Sequence, residues 1–294
     1  MKKIGISCKG VLKRYGTSGG FEILKRCGFD AVDFGLESYK LGSGIYAGSD
    51  DEFESHFDMV KRTAAKYELE ISQTHGRCVP YKIDDEKYNS DSVEVSKLDL
   101  RATAALGAPS CVIHFPNSTR CGKQSPDFMH EASNNFFSQI VPSAEEYGVS
   151  IALETFGAAR VQGDRIRDFF ASPDEFLKQY ERLDTKYKTI CVDTGHTHEA
   201  ESFWVPSPEE IIRIFGKRIS ILHLHDNSGH WDDHLIPGMG NINWPAVFDA
   251  LDEVGYTGTY NFELALRFGS MLDEALPFLG KYLRAFVESR GNLE

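Results

Sequence analysis

The sequence predicts an α/β fold, a single (β/α)8 barrel of the TIM type across residues 1–294, and three observations carry that prediction. Short apolar, β-branched runs alternate with amphipathic segments eight times from end to end. No low-complexity linker or change of composition interrupts the rhythm, so one domain accounts for all of it. The Gly-x-Gly-x-x-Gly turn that marks a doubly wound open sheet is absent after the first strand.

The first unit reads as a strand over 3–7 and a helix over about 21–27, stopped by Gly28. The second is a strand over 31–34 and a helix from about Ser49 to Tyr67, with Asp50, Asp51 and Glu52 where the helix dipole favours acids. The third strand, 69–74, runs into His75-Gly76-Arg77; a polar loop and a helix over about 92–106 follow, with Gly107 as C-cap. The fourth strand, 111–113, meets His114 and is followed by a helix over about 127–147 that Gly148 closes. The fifth, 150–153, meets Glu154; after an arginine-bearing loop, Ser172-Pro173-Asp174-Glu175 opens the next helix with a cap, a first-turn proline and two acids. The sixth, 189–192, meets Asp193, and Ser207-Pro208-Glu209-Glu210 repeats the helix start. The seventh is Ile219–His225, with a helix over about 244–254 behind it. The eighth, 259–262, meets Glu263, and a helix over about 271–289 closes the chain.

A formal net charge of −12 disfavours nucleic acid as a partner, since phosphate neutralisation by Lys and Arg supplies most non-specific affinity. No apolar run approaches the roughly 20 residues of a membrane span, and the N-terminus carries no apolar leader. A cytoplasmic protein with no membrane partner is the expectation. The six cysteines contain no Cys-x-x-Cys pair and read as reduced thiols.

Barrel enzymes place their chemistry at the C-terminal ends of the strands. Here those ends are His75, His114, Glu154, Asp193, His223 and Glu263, all metal-competent, which packing alone does not require. In the seventh strand the alternation puts Ile219, Ile221, His223 and His225 on one face, so an isoleucine face becomes an imidazole face at the rim. Glu154, Asp193, His223 and Glu263 come from one half of the rim and can converge. Three carboxylates and one imidazole suit Mn²⁺ or Mg²⁺ better than a closed structural zinc site.

The segments Leu153-Glu154, Val192-Asp193-Thr194-Gly195-His196, His223-Leu224-His225-Asp226, Asp232-Asp233-His234, Pro237-Gly238-Met239-Gly240 and Asn261-Phe262-Glu263 resemble the xylose-isomerase-like barrel superfamily. Within it they most resemble the sugar phosphate isomerase/epimerase group, which includes D-tagatose and D-psicose 3-epimerases, hydroxypyruvate isomerase and inosose dehydratase. The resemblance runs from about Ile4 to Glu263. It implies one catalytic divalent ion on Glu154, Asp193, His223 and Glu263, with Mn or Mg favoured and Zn or Co compatible. It also implies that Glu154 and Glu263 remove and return a proton through an enediolate of a ketose or related sugar. His75, His114, His196, His225, Asp232, His234 and Arg267 are then substrate contacts, with a small-molecule sugar as the partner. Epimerisation, isomerisation and dehydration by a sugar lyase are all compatible outcomes.

The same superfamily includes trinuclear zinc phosphodiesterases of the endonuclease IV type. His75, His114, His196, Asp232 and His234 resemble their additional ligands, so a second or third metal there stays open. Arg77, Arg120, Lys123, Arg160 and Arg267 are read as a phosphate clamp or as solvated charge. Phe115, Phe156, Trp204 and Trp231 are read as sugar platforms or as packing, and residues 157–171 as a lid or an ordinary loop. A homo-oligomer is compatible with the sequence, although no exposed stripe identifies an interface.

Overall fold

The computed structural model describes residues 2–78, 80–116, 125–161 and 163–292. Arg120, Cys121 and Lys123 lie outside the described residues, as does the side chain of Arg160. Eight parallel strands form the barrel: β1 (Ile4–Ser7), β2 (Ala31–Gly35), β3 (Glu70–His75), β4 (Ser110–Ile113), β5 (Ser150–Glu154), β8 (Lys188–Asp193), β9 (Ile219–His223) and β10 (Tyr260–Phe262). Each neighbours the next around the ring, and β10 pairs with β1 through Ile4–Tyr260, Gly5–Asn261 and Ile6–Phe262. Leu224 closes the circle: its N–H donates to Asn261 O at 2.8 Å, and its carbonyl accepts from Glu263 N at 3.2 Å. The predicted (β/α)8 barrel is therefore the fold.

The outer helices are α1 (Lys9–Arg26), α2 (Asp50–Lys66), α3 (Glu86–Leu106), α4 (Pro126–Tyr147), α5 (Pro173–Arg182), α6 (Thr194–Glu201), α7 (Pro208–Phe215), α8 (Trp244–Glu253) and α9 (Leu272–Glu288). Their ends follow the local chemistry. Ser49 and Glu52 form a reciprocal capping box on α2, and Gly107 and Gly148 take the left-handed conformation after α3 and α4.

Four elements differ from the sequence reading, the simplest being α3, which begins at Glu86, ahead of the expected start at about 92, with Asp85 capping it. Helix α1 begins at Lys9, twelve residues before the predicted start, because its glycine-rich first half is helical in spite of poor propensity, with a break at Gly16 (φ 68°, ψ 172°). Helix α6, in a stretch to which the sequence assigned no element, starts directly at Thr194 because the Asp193 side chain caps it by accepting from His196 N at 2.6 Å. Residues 157–171 hold a two-stranded hairpin, β6 (Ala158–Val161) paired antiparallel with β7 (Asp164–Arg167).

The lumen is asymmetric. Val112, Ala152, Cys191 and Ile221, from four successive strands, make a small buried apolar layer. From β2 and β3, Asp33 and Gln73 enter the same space and reach His223 from the other side. The larger core lies between strands and helices, as in Phe115 stacked on Phe170 at 4.2 Å and edge-on to Phe176 at 5.0 Å. No described helix is long and apolar enough to cross a membrane.

Candidate active site

The C-terminal ends of the strands open into a cleft of about 840 Å³ whose floor includes His75, His114, Glu154, His196 and Glu263. Glu154, the last residue of β5, is its hub and is fully buried. Its Oε1 lies 2.8 Å from His223 Nδ1, and its Oε2 lies 2.8 Å from His114 Nε2 and 3.6 Å from His75 Nε2. Glu263 approaches the same His223 Nδ1 at 3.2 Å, and His75 Nε2 at 4.0 Å.

His75, Glu154, His223 and Glu263 thus form one group able to hold a metal ion. Asp193, expected among these ligands, falls in a second group with Glu154 and His196, and its carboxylate is also 3.0 Å from His225 Nε2. Capping α6 turns it that way. His225, Asp232 and His234 make a third group, with the two imidazoles stacked at 4.0 Å. Nine of the strand-end and loop candidates therefore share one mouth, with Glu154 common to two groups.

The imidazoles are oriented as ligands need to be. His75 Nδ1 donates to Gly76 O at 2.8 Å, His196 Nδ1 to Thr155 O at 2.9 Å, and His234 Nδ1 to Glu263 O at 2.8 Å. Each is left with Nε2 facing the cleft carboxylates, the arrangement that fixes a metal-binding tautomer. The Glu154 Oε2 atom is buried without a hydrogen bond, although His114 Nε2 is 2.8 Å away. Two such groups converge on a common point without aligning on each other, and a hard divalent cation fits that oxygen-rich, partly imidazole donor set.

Electrostatics follow from this crowding. Burial opposes the charge on each group, but the histidines around Glu154, His114 and His223 foremost, hold it well below the usual carboxylate range. Burial likewise opposes protonation of His75 and His234. The carboxylates of Glu154 and Glu263 beside it nevertheless raise His75 to about 10, and Asp232 raises His234 to about 9. A proton on such an imidazole blocks the lone pair that a cation needs. Cation affinity at the His75 group is therefore expected to climb with pH up to about 10, by about tenfold per unit for the proton displaced from His75. Calorimetric titration with Mn²⁺ across that range checks it; a flat profile would contradict it.

The other candidates are distributed as follows. Arg267 lines the cleft, with Phe115, Phe156 and Trp231. Trp204 is not among the lining residues and is 98% exposed. Arg77 is committed elsewhere, its guanidinium donating to buried Asp99 at 3.1 Å and to Leu36 O at 3.2 Å. Arg165 straps the hairpin to α6 and the following loop through Glu199 O, Ser202 Oγ and Gly229 O, each at 3.3 Å.

Sequence reasoning missed Glu199, Asp168, Asp33 and Gln73. Glu199 and Asp168 line the cleft but sit on α6 and after the hairpin, away from any strand end. Glu199 accepts from Ala158 N at 3.1 Å; a Cβ on Gly157 would lie 2.7 Å from its carboxylate, so Gly157 serves close approach. Asp33 had one visible signal, an acid in the middle of the apolar run Ala31-Val32-Asp33-Phe34.

A family model described as a xylose isomerase-like TIM barrel matches residues 21–278. An uncharacterized protein of Sinorhizobium fredii, y4fM, is 30% identical over 177 residues, 58% of this chain and 52% of that protein, so the match spans about half of that relative. A "Probable endonuclease 4" of Lysinibacillus sphaericus is 29% identical over 172 residues, 55% of this chain and 53% of that protein. Among solved structures, a D-tagatose 3-epimerase-like protein superposes with a TM-score of 0.71 at 23% identity, covering 98% of this chain and 100% of that one. The IOLI protein with a bound zinc atom superposes with 0.75 at 19% identity, covering 100% of both. With eight parallel strands closed into a barrel and the family match extending over most of its length, the chain belongs to the xylose isomerase-like TIM barrel family.

Proposed function

We propose that the chain is a divalent-cation-dependent isomerase or epimerase of a ketose or related sugar. The observation that carries the reading is the approach of two carboxylates, Glu154 and Glu263, to one imidazole nitrogen, at 2.8 and 3.2 Å, on the floor of a polar cleft. The fold shared with a D-tagatose 3-epimerase-like protein supports it. Glu154, His223, Glu263 and His75 would hold the cation, with Asp193 reached through Glu154; Mn or Mg suits this donor set best, and Zn or Co is compatible. When bound, the cation supplies Lewis-acid stabilisation of charge on two adjacent sugar oxygens.

The protein's own groups do the rest. Glu154, held ionised by its histidines, would accept the proton from the hydroxyl-bearing carbon next to the carbonyl, and Glu263, the more exposed of the two and able to take up a proton from solvent, would return one from the other side. Return to the same carbon inverts it; return to its neighbour isomerises the sugar. His114, His196, His225, Asp232, His234 and Arg267 would orient hydroxyls, and Trp231 and Phe156 would cover an apolar face of the sugar.

Incubation of the Mn²⁺-loaded protein with a panel of ketoses in D₂O tests this. Deuterium is expected next to the carbonyl of at least one sugar, and absence of exchange across the panel would overturn the reading.

A trinuclear zinc phosphodiesterase is the second reading, and the His225–Asp232–His234 group favours it. Opposing it, Arg267 is the one permanent cation among the described cleft-lining residues, where a DNA backbone needs several. Three zinc ions per chain, with cleavage of abasic DNA, would support this second reading over the first.

A further inference from the structure

Three site histidines anchor Nδ1 on a main-chain carbonyl and offer Nε2. His223 is reversed. Its Nδ1 faces Glu154 and Glu263, and its Nε2 points down into the lumen toward Asp33 and Gln73. Two side chains share that nitrogen instead: the Gln73 amide, placed with its nitrogen at 2.9 Å, and the Asp33 carboxylate at 3.2 Å.

Asp33 is fully buried in the centre of β2, and neither of its oxygens completes a hydrogen bond. Burying a carboxylate costs several kcal/mol unless it is well paired, and Val112, Ala152, Cys191 and Ile221 show that apolar side chains fill the lumen elsewhere. The acid therefore has a use other than packing.

We propose that Asp33 is a positioning residue for the metal centre, selecting the His223 tautomer that carries its proton on Nε2 and leaves the Nδ1 lone pair to the cation. The Gln73 amide can serve either tautomer by a half-turn, offering NH₂ or oxygen. An ionised carboxylate only accepts, so Asp33 serves Nε2–H alone. With the proton on Nε2, 3.2 Å away, Asp33 would do for His223 what the Gly76, Thr155 and Glu263 carbonyls do for the other three rings. Its charge also makes the imidazole a stronger donor than a carbonyl would. The inference rests on the cation-dependent reading above.

Mn²⁺ titration of the full chain, by calorimetry and by electron paramagnetic resonance, tests it on wild type, Asp33→Asn and Asp33→Ala. Loss of such an anchoring partner typically weakens metal binding about 10- to 100-fold. Asp33→Ala is expected near the upper end. Asp33→Asn, which keeps a neutral acceptor, is expected near the lower end, with the thermal midpoint of its metal-free form no lower than wild type. Variants that bind Mn²⁺ with wild-type affinity would overturn the inference, as would a lowered midpoint with affinity unchanged, the mark of a purely structural role. Should Asp33→Ala fail to fold, the near-isosteric Asp33→Asn decides. Failure of wild type itself to bind Mn²⁺ would instead remove the functional reading, and this inference with it.

Discussion

Glu154→Gln is expected to lower deuterium exchange at the sugar carbon by about 1000-fold or more, within the range for loss of a general base and above it if the cation is lost too. The substitution keeps the shape and removes the charge. Four histidines, His75, His114, His196 and His223, lie within 3.7 Å of this carboxylate, so the loss reaches two of the three metal-competent groups at once. Circular dichroism should show a folded barrel, because Gln retains an oxygen for one imidazole. Mn²⁺ affinity should fall in parallel with the exchange rate. Exchange within tenfold of wild type would place the chemistry on another residue.

The second large effect concerns stability. Asp226→Ala is expected to destabilise the fold by about 4 kcal/mol, a fall in thermal midpoint of about 6 °C for a chain of this size. The buried Asp226 carboxylate accepts from Asn227 N at 3.0 Å, Gly238 N at 2.8 Å, Ile242 N at 3.2 Å and the Trp244 indole at 2.9 Å. Removing it strands three buried donors and one part-buried donor together. Gly240 is the complement of this hub, since a Cβ there would stand 2.3 Å from the same carboxylate. The loop so anchored carries Asp232 and His234, and Leu235 pairs back onto Asp226. A change below about 1 kcal/mol in denaturant unfolding would show that water satisfies those donors instead.

Much of this was legible in the residues. Barrel strands are buried on both faces and end abruptly at polar rims, so β5 and β8 announced Glu154 and Asp193 by the switch from apolar to acidic. Strand order followed from the alternation of elements, since each parallel strand needs a helical crossover. What could not be read was which strand-end groups meet. Asp193 turns toward His196 and His225 because it caps α6, a short helix with little amphipathic signal. His75 joins Glu154, His223 and Glu263 through its rotamer and through a turn held by Gly76 N on Val112 O, and neither leaves a pattern in sequence. Asp33 was hidden in a strand whose periodicity reads as core, and its partner lies 190 positions away in the chain. Hairpin β6–β7 escaped because its strands are four residues each and their arginines read as loop.

The central claim is that one divalent cation sits between Glu154, His223 and Glu263, with His75 beside them. Crystals grown with Mn²⁺ and measured for anomalous scattering test it most directly. One strong peak is expected within about 2.3 Å of carboxylate oxygens from Glu154 and Glu263 and of His223 Nδ1. A map with no peak there, or with density confined to His225, Asp232 and His234, would contradict it.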